Sequence, residues 1–357
     1  MTPDNRSMQS PSASDARKTL GFVLLFVLVA VAGLTYVKWL PYYHKAFLAA
    51  AEGSIGSSIL AGIGAEGVNG PSWQAALDYA AVYFKAIWKA AVLGIILGSL
   101  LQVLLPAKWL HAVLGKTSFK STLIGGAAAL PGMMCSCCAA PVAAGLRRRN
   151  VSIGASLAFW IGNPVLNPAT LIFMTFVLSW KYTLIRIVFG LLLTFGVSHY
   201  ANRVAGQKHP DDAALAPVIP DGADERGPWP LRWLRQAGIM TLHIVPAYVL
   251  AVLLLGAFRS ALFPIWSDGG FPAILLFAIV GTLFVIPTAA EIPIVQSFLA
   301  FGSGAGPAAA LLITLPAVSL PSVLMLARAF PKRVLLFVVL CVMLSGLLCG
   351  LAGAWLL

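Results

Sequence analysis

The sequence feature that most constrains this fold is an apolar stretch interrupted by two prolines. Pro131 and Pro141 enclose the sequence Gly-Met-Met-Cys-Ser-Cys-Cys-Ala-Ala at positions 132–140. Proline removes one helical hydrogen bond and clashes with the preceding turn, so the pattern predicts a broken helix. Inside a membrane, non-helical backbone is tolerated only where protein buries it or where it lines a cavity. We therefore expect the chain to fold around an internal break that carries three of its five cysteines.

The composition requires a lipid environment for most of the chain. Hydrophobic residues make up 59% of the sequence and charged residues only 10%, whereas roughly a quarter of the residues in a soluble domain are charged. A formal net charge of +12 would suggest nucleic acid in a soluble protein, but here Lys and Arg fall mainly in short loops, as the positive-inside rule requires. We therefore expect a multi-pass protein of the inner membrane, surrounded by the lipid bilayer and without a nucleic-acid partner.

The chain contains two halves that repeat one pattern. Three landmarks of the first half recur 152 residues later, where Pro141, Gly154 and Pro164 are matched by Pro293, Gly306 and Pro316. Short or proline-interrupted segments at corresponding positions of two halves point to the binding site of a transporter. We predict a disordered cytoplasmic tail at 1–19, a first transmembrane helix and non-cytoplasmic loop at 20–78, a first repeat at 79–201, a linker loop at 202–230 and a second repeat at 231–357.

The charged loops distinguish between two topologies. If every apolar segment crosses the bilayer, the chain has eight to ten spans and the arginines at 147–149 lie outside, against the positive-inside rule. If the segments at 121–146 and 271–301 dip in and return, seven spans remain and the basic loops share the cytoplasmic side. We predict this second arrangement, an all-α polytopic membrane protein with two inverted repeats, Pro-broken helices and two re-entrant hairpins.

Three cysteines stand within four positions at the first break, namely Cys135, Cys137 and Cys138. Thiolates are soft ligands that suit Cu(I), Zn(II), Cd(II) and trivalent arsenic or antimony. A single cysteine in a helix bundle is most often a small packing residue, but this density at a proline-flanked break favours ligation. We predict that all three cysteines bind the substrate and form a candidate metal site.

The matching break of the second half carries Glu291, the only acidic residue after Asp268. A carboxylate at membrane depth costs roughly 3 kcal/mol unless it is neutralised, paired or hydrated. We therefore predict a role in proton coupling, with a structural acid at a helix N-terminus as the alternative. Asn163, Asn167 and Ser319, at the other proline-containing breaks, are further candidates for substrate binding. The two asparagines have the alternative task of satisfying the broken backbone.

These motifs resemble the bacterial predicted-permease family that includes the ArsP-type organoarsenical exporters. The similar segments are Leu-Pro at 130–131, Cys-Ser-Cys at 135–137, Pro-Val-Ala-Ala-Gly-Leu-Arg-Arg at 141–148, Glu-Ile-Pro at 291–293 and Leu-Pro-Ala-Val-Ser-Leu-Pro at 315–321. The resemblance covers roughly residue 79 to the C-terminus and is most specific in the Cys-Ser-Cys segment. It implies efflux of trivalent methylated or aromatic arsenicals, with Cys135 and Cys137 as the paired cysteines and Glu291 as the second-repeat acid. This chain has Cys138 where the family usually has glycine, so a third thiol could change the substrate.

We therefore expect a secondary-active permease that exports a soft metal or metalloid species, such as a trivalent organoarsenical, over these thiols with proton coupling. We expect neither enzyme activity nor a cofactor, and the sequence contains no Walker A motif that would supply an ATPase. Two alternatives stay open. One is a membrane thiol oxidoreductase that works through Cys135 and Cys137, and the other is an uptake permease for a sulfur-containing anion. The substrate, the direction of transport and the formation of a homo-oligomer are left open by the sequence.

Overall fold

The computed structural model describes residues 13–59, 73–206, 228–258, 262 and 270–357. Within these residues every regular element is a helix. The helices are α1 (Ala13–Leu34), α2 (Leu40–Glu52), α3 (Trp73–Leu104), α4 (Ala107–Leu114), α5 (Phe119–Ala129), α6 (Ser136–Arg148), α7 (Ile153–Val165), α8 (Pro168–Val177), α9 (Trp180–Leu191), α10 (Ser198–Ala205), α11 (Trp229–Ala257), α12 (Phe271–Leu283), α13 (Glu291–Ala300), α14 (Ala305–Ala317), α15 (Leu320–Leu326) and α16 (Lys332–Leu356). Most of the predicted tail, most of the predicted linker and the loop around Glu66 lie outside the described residues.

Seven helical segments of the described chain are long and apolar enough to cross a membrane. They are Leu20–Glu52, Trp73–Leu104, Ile153–Val177, Trp180–Ala205, Trp229–Ala257, Ala305–Leu326 and Lys332–Leu356. A spanning helix needs about 20 apolar residues, whereas α5, α6, α12 and α13 have 13 residues or fewer. The prediction of an all-α polytopic membrane protein with seven spans is confirmed.

The first helix begins earlier than predicted and is long. It begins at Ala13, inside the predicted tail, and passes through a π-helical turn at Thr35–Trp39 into α2. The helix ends only at Gly53, which has a left-handed φ of 60° and donates its N–H to the carbonyl of Ala49. Glycine adopts this conformation without steric cost. Within the predicted segment 20–78, the helix therefore extends to Glu52 and the loop follows it.

Helices α5 and α6 form a re-entrant hairpin. At the open end, Ser152 donates its N–H to the carbonyl of Leu114 at 2.9 Å, so the residues before and after the hairpin are neighbours. At the tip, Met134 donates its N–H to Oδ1 of Asn163 at 3.3 Å, near the far end of α7. The chain thus enters beside the start of α7, reaches its end and returns. Pro141 does not break the helix as predicted, because it lies inside α6, where it removes only one hydrogen bond.

Helices α12 and α13 repeat this arrangement in the second half. Ile274 lies beside Gly306 at the start of α14, and the carbonyl of Phe277 accepts a hydrogen bond from Thr314 further along α14 at 3.4 Å. Helix α12 therefore runs parallel to α14. Helix α13 then returns, and a short turn in which Ser303 donates its N–H to Phe298 leads back to the start of α14.

The two hairpins open at opposite ends of the bundle. The span formed by α14 and α15 starts beside the opening of the second hairpin. In its middle, Ser319 lies 3.1 Å from Ser136 at the tip of the first hairpin. Just beyond its end, the ring of Phe330 lies 5.7 Å from the guanidinium of Arg147, at the opening of the first hairpin. The repeats are therefore inverted, which is a common architecture of secondary transporters.

Basic side chains gather at the opening of the first hairpin. Arg148 there is close enough to Arg328 for the two charges to repel each other, and Arg333 donates a hydrogen bond to the carbonyl of Ala205. Arg148, Arg328 and Arg333 each lie at or next to the end of a helix at the opening of the first hairpin. The positive-inside rule assigns such an end to the cytoplasm.

Candidate functional site

The tips of the two hairpins share one backbone design. Met133 has a φ of 48° and Ala289 a φ of 70°, a left-handed conformation that is uncommon for residues other than glycine. Each stands two positions before the residue singled out from the sequence, Cys135 in one tip and Glu291 in the other. A helix then starts at once, α6 at Ser136 and α13 at Glu291. The two residues are therefore structural counterparts at helix N-termini, where the helix dipole favours negative charge.

A small cavity lies between the two tips. Cys135 and Ser136 line it from the first hairpin, and Thr288 and Glu291 line it from the second. Pro164 and Pro316, from the breaks in the two neighbouring spans, complete its wall. All four proline-containing breaks thus meet at one place, as expected for a site at the interface of two inverted repeats.

The three clustered thiols do not act as one group. Sγ of Cys135 lies 2.8 Å from Sγ of Cys138, because Cys135 occupies the N-cap position of α6 and Cys138 stands three residues later on the same face. Sγ of Cys137 points elsewhere and lies 3.1 Å from the hydroxyl of Ser319. The two cysteines implied by the family resemblance as a pair, Cys135 and Cys137, thus have different nearest side-chain neighbours, Cys138 and Ser319. Among the described residues, no set of three or more His, Cys, Asp or Glu side chains is arranged to hold a metal ion.

A buried lysine accompanies the thiol pair. Lys38, on the π-helical turn of the first span, is 6% exposed. It donates hydrogen bonds to the hydroxyl of Tyr42 at 3.2 Å and to the hydroxyl of Thr288 at 3.1 Å. Its ammonium also interacts electrostatically with Cys135 and Cys138. Single π turns inside α-helices are frequent at functional sites, and this one places a positive charge beside the thiols.

Trp39, the residue after Lys38, contacts the tip of the first hairpin. Trp39 donates its indole N–H to the carbonyl of Pro131 at 2.9 Å. Two consecutive residues of the first span thus contact the two hairpin tips, Lys38 at Thr288 and Trp39 at Pro131. The first span lies outside both repeats but forms part of the site.

Glu291 is paired with a buried arginine from the first repeat. Nη1 of Arg186 lies 2.8 Å from Oε1 of Glu291, and both side chains are at most 1% exposed. The same guanidinium donates to the carbonyl of Pro164 at 2.9 Å and to the carbonyl of Val165 at 3.1 Å. Arg186 therefore neutralises the acid of one repeat and satisfies the broken backbone of the other. The second oxygen of Glu291, Oε2, accepts no hydrogen bond from any described residue.

The polar residues at the remaining breaks hold the backbone. Asn163 accepts from Met134 and donates to the carbonyl of Phe159 at 2.9 Å. Asn167 caps α8 by accepting the N–H groups of Ala169 and Thr170. Ser319 forms a capping box with Ser322 at the start of α15. The contacts of the two asparagines match the backbone alternative, whereas Ser319 also reaches Cys137.

Sequence reasoning missed Lys38 and Arg186. Each is a lone cation within an apolar segment, the first in the span before residue 40 and the second in the span after Trp180. An ionisable residue inside a membrane span is a functional candidate by default. Applied to basic residues as well as to the acidic residue Glu291, that rule would have identified Lys38 and Arg186.

Comparison with known proteins agrees with this architecture. The predicted-permease family ArsP_1 matches residues 72–215. The UPF0718 protein YraQ of Escherichia coli (strain K12) is 53% identical over 330 residues, which cover 91% of this chain and 93% of YraQ. This chain belongs to the UPF0718 family of predicted permeases. A more distant relative, the UPF0718 protein MJ0584 of Methanocaldococcus jannaschii, is 20% identical over 282 residues, which cover 61% of this chain and 77% of MJ0584. No solved structure matches the chain.

Membership of UPF0718 establishes the general activity. The protein is a membrane permease with seven candidate spans, so a small-molecule substrate and the lipid bilayer are its partners. In bacteria this UPF0718 permease is a multi-pass protein of the inner membrane. Family and fold indicate a transporter.

Proposed function

We propose that this UPF0718 permease exports a trivalent metalloid species, an organoarsenical or a related soft electrophile, by secondary-active transport over Cys135 and Cys138. The observation that supports the proposal is the 2.8 Å approach of the two sulfur atoms beside a cavity between inverted repeats. An arsenical with one organic group carries two hydroxyl groups. Two thiols replace them with two As–S bonds, and each thiol proton leaves with a hydroxide as water.

The pairing of the thiols favours a metalloid over Zn(II) as cargo. Structural Zn(II) takes four ligands, and thiolate sites for it are closed. Within the described chain the thiol pair has no third or fourth His, Cys, Asp or Glu ligand. Two soft ligands suffice for a monosubstituted arsenical, which keeps its organic group as the third substituent.

We further propose that Glu291 couples export to protons. Its Oε1 is engaged by Arg186, while Oε2 has no protein donor among the described residues and belongs to a side chain that lines the cavity. A proton on this carboxyl group and a substrate in the cavity would then exclude each other. Such alternation produces antiport. In everted vesicles, Glu291→Gln should abolish the dependence of uptake on the pH gradient while substrate binding stays measurable.

The function is tested by a resistance assay in an arsenic- and metal-sensitive bacterial host. The panel contains arsenite, methylarsenite, phenylarsenite, antimonite, zinc, cadmium and copper. We expect resistance to the trivalent metalloids, its loss in Cys135→Ser and Cys138→Ser, and its retention in the matched control Cys137→Ser. Resistance to zinc, cadmium or copper alone would contradict the metalloid assignment.

A second candidate function is uptake of a sulfur-containing anion such as thiosulfate, and Lys38 favours it. The ammonium is buried without a carboxylate partner among the described residues, so an anion in the cavity would gain a counter-ion. In cells that depend on thiosulfate as a sulfur source, this function predicts growth with the wild-type permease and none with Lys38→Met. Export of metalloids should tolerate Lys38→Met far better, because the two As–S bonds remain.

A further inference from the structure

One of the two carboxylate oxygens of Glu291 has no hydrogen-bond donor among the described residues. Arg186 holds Oε1 at 2.8 Å, while Oε2 is buried and accepts no hydrogen bond from any described residue. A carboxylate oxygen has lone pairs for two hydrogen bonds. Leaving a buried acceptor unsatisfied carries the full cost of its desolvation. An unpartnered acceptor in a side chain that is 1% exposed therefore points to a ligand that supplies a hydrogen-bond donor while it is bound.

The position of Glu291 at the cavity indicates what the donor is. Glu291 and Cys135 line the same small cavity from opposite hairpin tips. A ligand bonded to Sγ of Cys135 would thus have the carboxylate across the cavity from it. Arg186 already neutralises the carboxylate, so the site has no need of a cationic ligand.

We infer that Glu291 is a substrate-binding residue that accepts a hydrogen bond from a hydroxyl group on the metalloid while the metalloid is bonded to Cys135 alone, before Cys138 displaces the next hydroxyl. The inference rests on the proposed function and narrows its substrate class. The substrate is a trivalent metalloid that keeps at least one hydroxyl group after its first exchange with a thiol. Monosubstituted arsenicals and arsenite meet this condition, whereas disubstituted arsenicals do not.

The chemistry of the first exchange explains the distinction. Methylarsenous acid, CH3As(OH)2, reacts with the Cys135 thiol to form one As–S bond and release one water, and it retains one hydroxyl. Dimethylarsenous acid, (CH3)2AsOH, forms the same bond and releases the same water, but it retains none. A methyl group and a hydroxyl group have similar size, so the two bound ligands differ chiefly in the donor offered to Oε2.

The test uses the purified full-length protein with both neighbouring thiols removed, as Cys137→Ser/Cys138→Ala. Each ligand can then form only one bond at the site, to Cys135. Isothermal titration calorimetry should show CH3As(OH)2 binding about tenfold more tightly than (CH3)2AsOH, as expected for one hydrogen bond to a charged acceptor. Adding Glu291→Gln, which keeps the shape and an oxygen for Arg186, should reduce this ratio to about one.

The outcomes distinguish the hydroxyl subsite at Glu291 from the proposed export of metalloids. Equal affinities of the two arsenicals in the Cys137→Ser/Cys138→Ala protein would overturn the hydroxyl subsite and leave the thiol pathway intact. A tenfold ratio that survives Glu291→Gln would also overturn it, because the discrimination would then come from elsewhere. If neither arsenical binds the wild-type protein in a Cys135-dependent manner, the proposed function fails and this inference fails with it.

Discussion

The two hairpin tips have the same backbone but opposite chemistry. Both use a left-handed residue two positions ahead of a helix N-terminus, Met133 before Cys135 and Ala289 before Glu291. The first tip ends in a soft nucleophile and the second in a hard carboxylate. Two buried cations from outside the tips accompany them. Arg186 pairs with Glu291, and Lys38 donates to Thr288 of the second tip and interacts electrostatically with Cys135 and Cys138 of the first.

The difference lies in how firmly each cation is held. Arg186 donates hydrogen bonds to two carbonyls and forms an ion pair with a carboxylate, all within 3.1 Å, so several groups of the protein fix its position. Lys38 holds two neutral hydroxyl groups and keeps a third donor, since an ammonium has three. We conclude that the inverted repeats provide a symmetric scaffold that presents thiols at one tip and an arginine-paired carboxylate at the other.

The largest expected effect concerns the sidedness of the two hairpins. Arg148 follows the first hairpin and Gly304 follows the second, at opposite ends of the bundle. In a cysteine-free background, Arg148→Cys should be labelled by an impermeant maleimide from the cytoplasmic side only, and Gly304→Cys from outside only. Labelling of both from one side would contradict the inverted arrangement and end the comparison of the tips as counterparts.

The two cations should differ strongly in their effect on stability. Arg186→Met leaves a buried carboxylate and two carbonyls without their donor, and breaking a buried ion pair in this way costs about 3–5 kcal/mol. Lys38→Met frees only two hydroxyl groups, which can rotate to other partners, so its loss should be clearly smaller. Thermal unfolding of the purified variants measures both.

A double variant is the control for the arginine. Arg186→Met/Glu291→Met removes both charges together, and it should recover much of the stability lost in Arg186→Met. Transport should stay absent, because the acid is gone. Equal stability losses for Arg186→Met and Lys38→Met would show that both cations are framework residues.

The three cysteines of the first tip should also contribute unequally to metalloid transport. Cys135→Ser and Cys138→Ser each remove one of the two sulfur atoms that lie 2.8 Å apart, so we expect at least a tenfold loss of metalloid transport in vesicles. Cys137→Ser keeps a hydroxyl for Ser319 and should retain most of the activity. Loss of activity in Cys137→Ser with retention in Cys138→Ser would restore the Cys135 and Cys137 pair that the family resemblance implies.

Much of the architecture could be predicted from the sequence, because hydropathy and loop charge act over long stretches. Apolar length determines the seven spans, and the arginines at 147–149 favour the re-entrant hairpins. The thiol pair could not be predicted in the same way. It depends on Cys135 being the residue that caps α6, and sequence patterns locate helix starts only to within a few residues.

The partners of the acid were also beyond the sequence. Arg186 and Glu291 are far apart in the sequence, and the separation between Lys38 and Thr288 is even longer. No local pattern encodes such contacts, since they depend on how the repeats dock. The presence of unusual charges in apolar spans was visible, but their pairing was not.

The smallest expected effect tests the backbone that the two tips share. Ala289 has a left-handed φ of 70°, which costs a residue with a Cβ about 1 kcal/mol relative to glycine. Its neighbour Ala290 has a φ of −69° and an ordinary right-handed conformation, in which glycine is unfavourable by about 0.5–1 kcal/mol because it loses more backbone entropy on folding. Both side chains are buried methyl groups, so the two substitutions remove the same atoms.

Ala289→Gly should therefore raise the temperature of thermal unfolding, and Ala290→Gly should lower it. If the left-handed residue serves to hold the carboxylate of Glu291 toward Cys135, the more stable Ala289→Gly variant should also transport metalloid more slowly, because a flexible tip positions the acid less well. Unfolding in detergent and uptake in vesicles measure the two quantities on one preparation. A variant with unchanged stability would show that Ala289 carries no strain, and a stabilised variant with full transport would show that the shared conformation serves the fold of the hairpin alone.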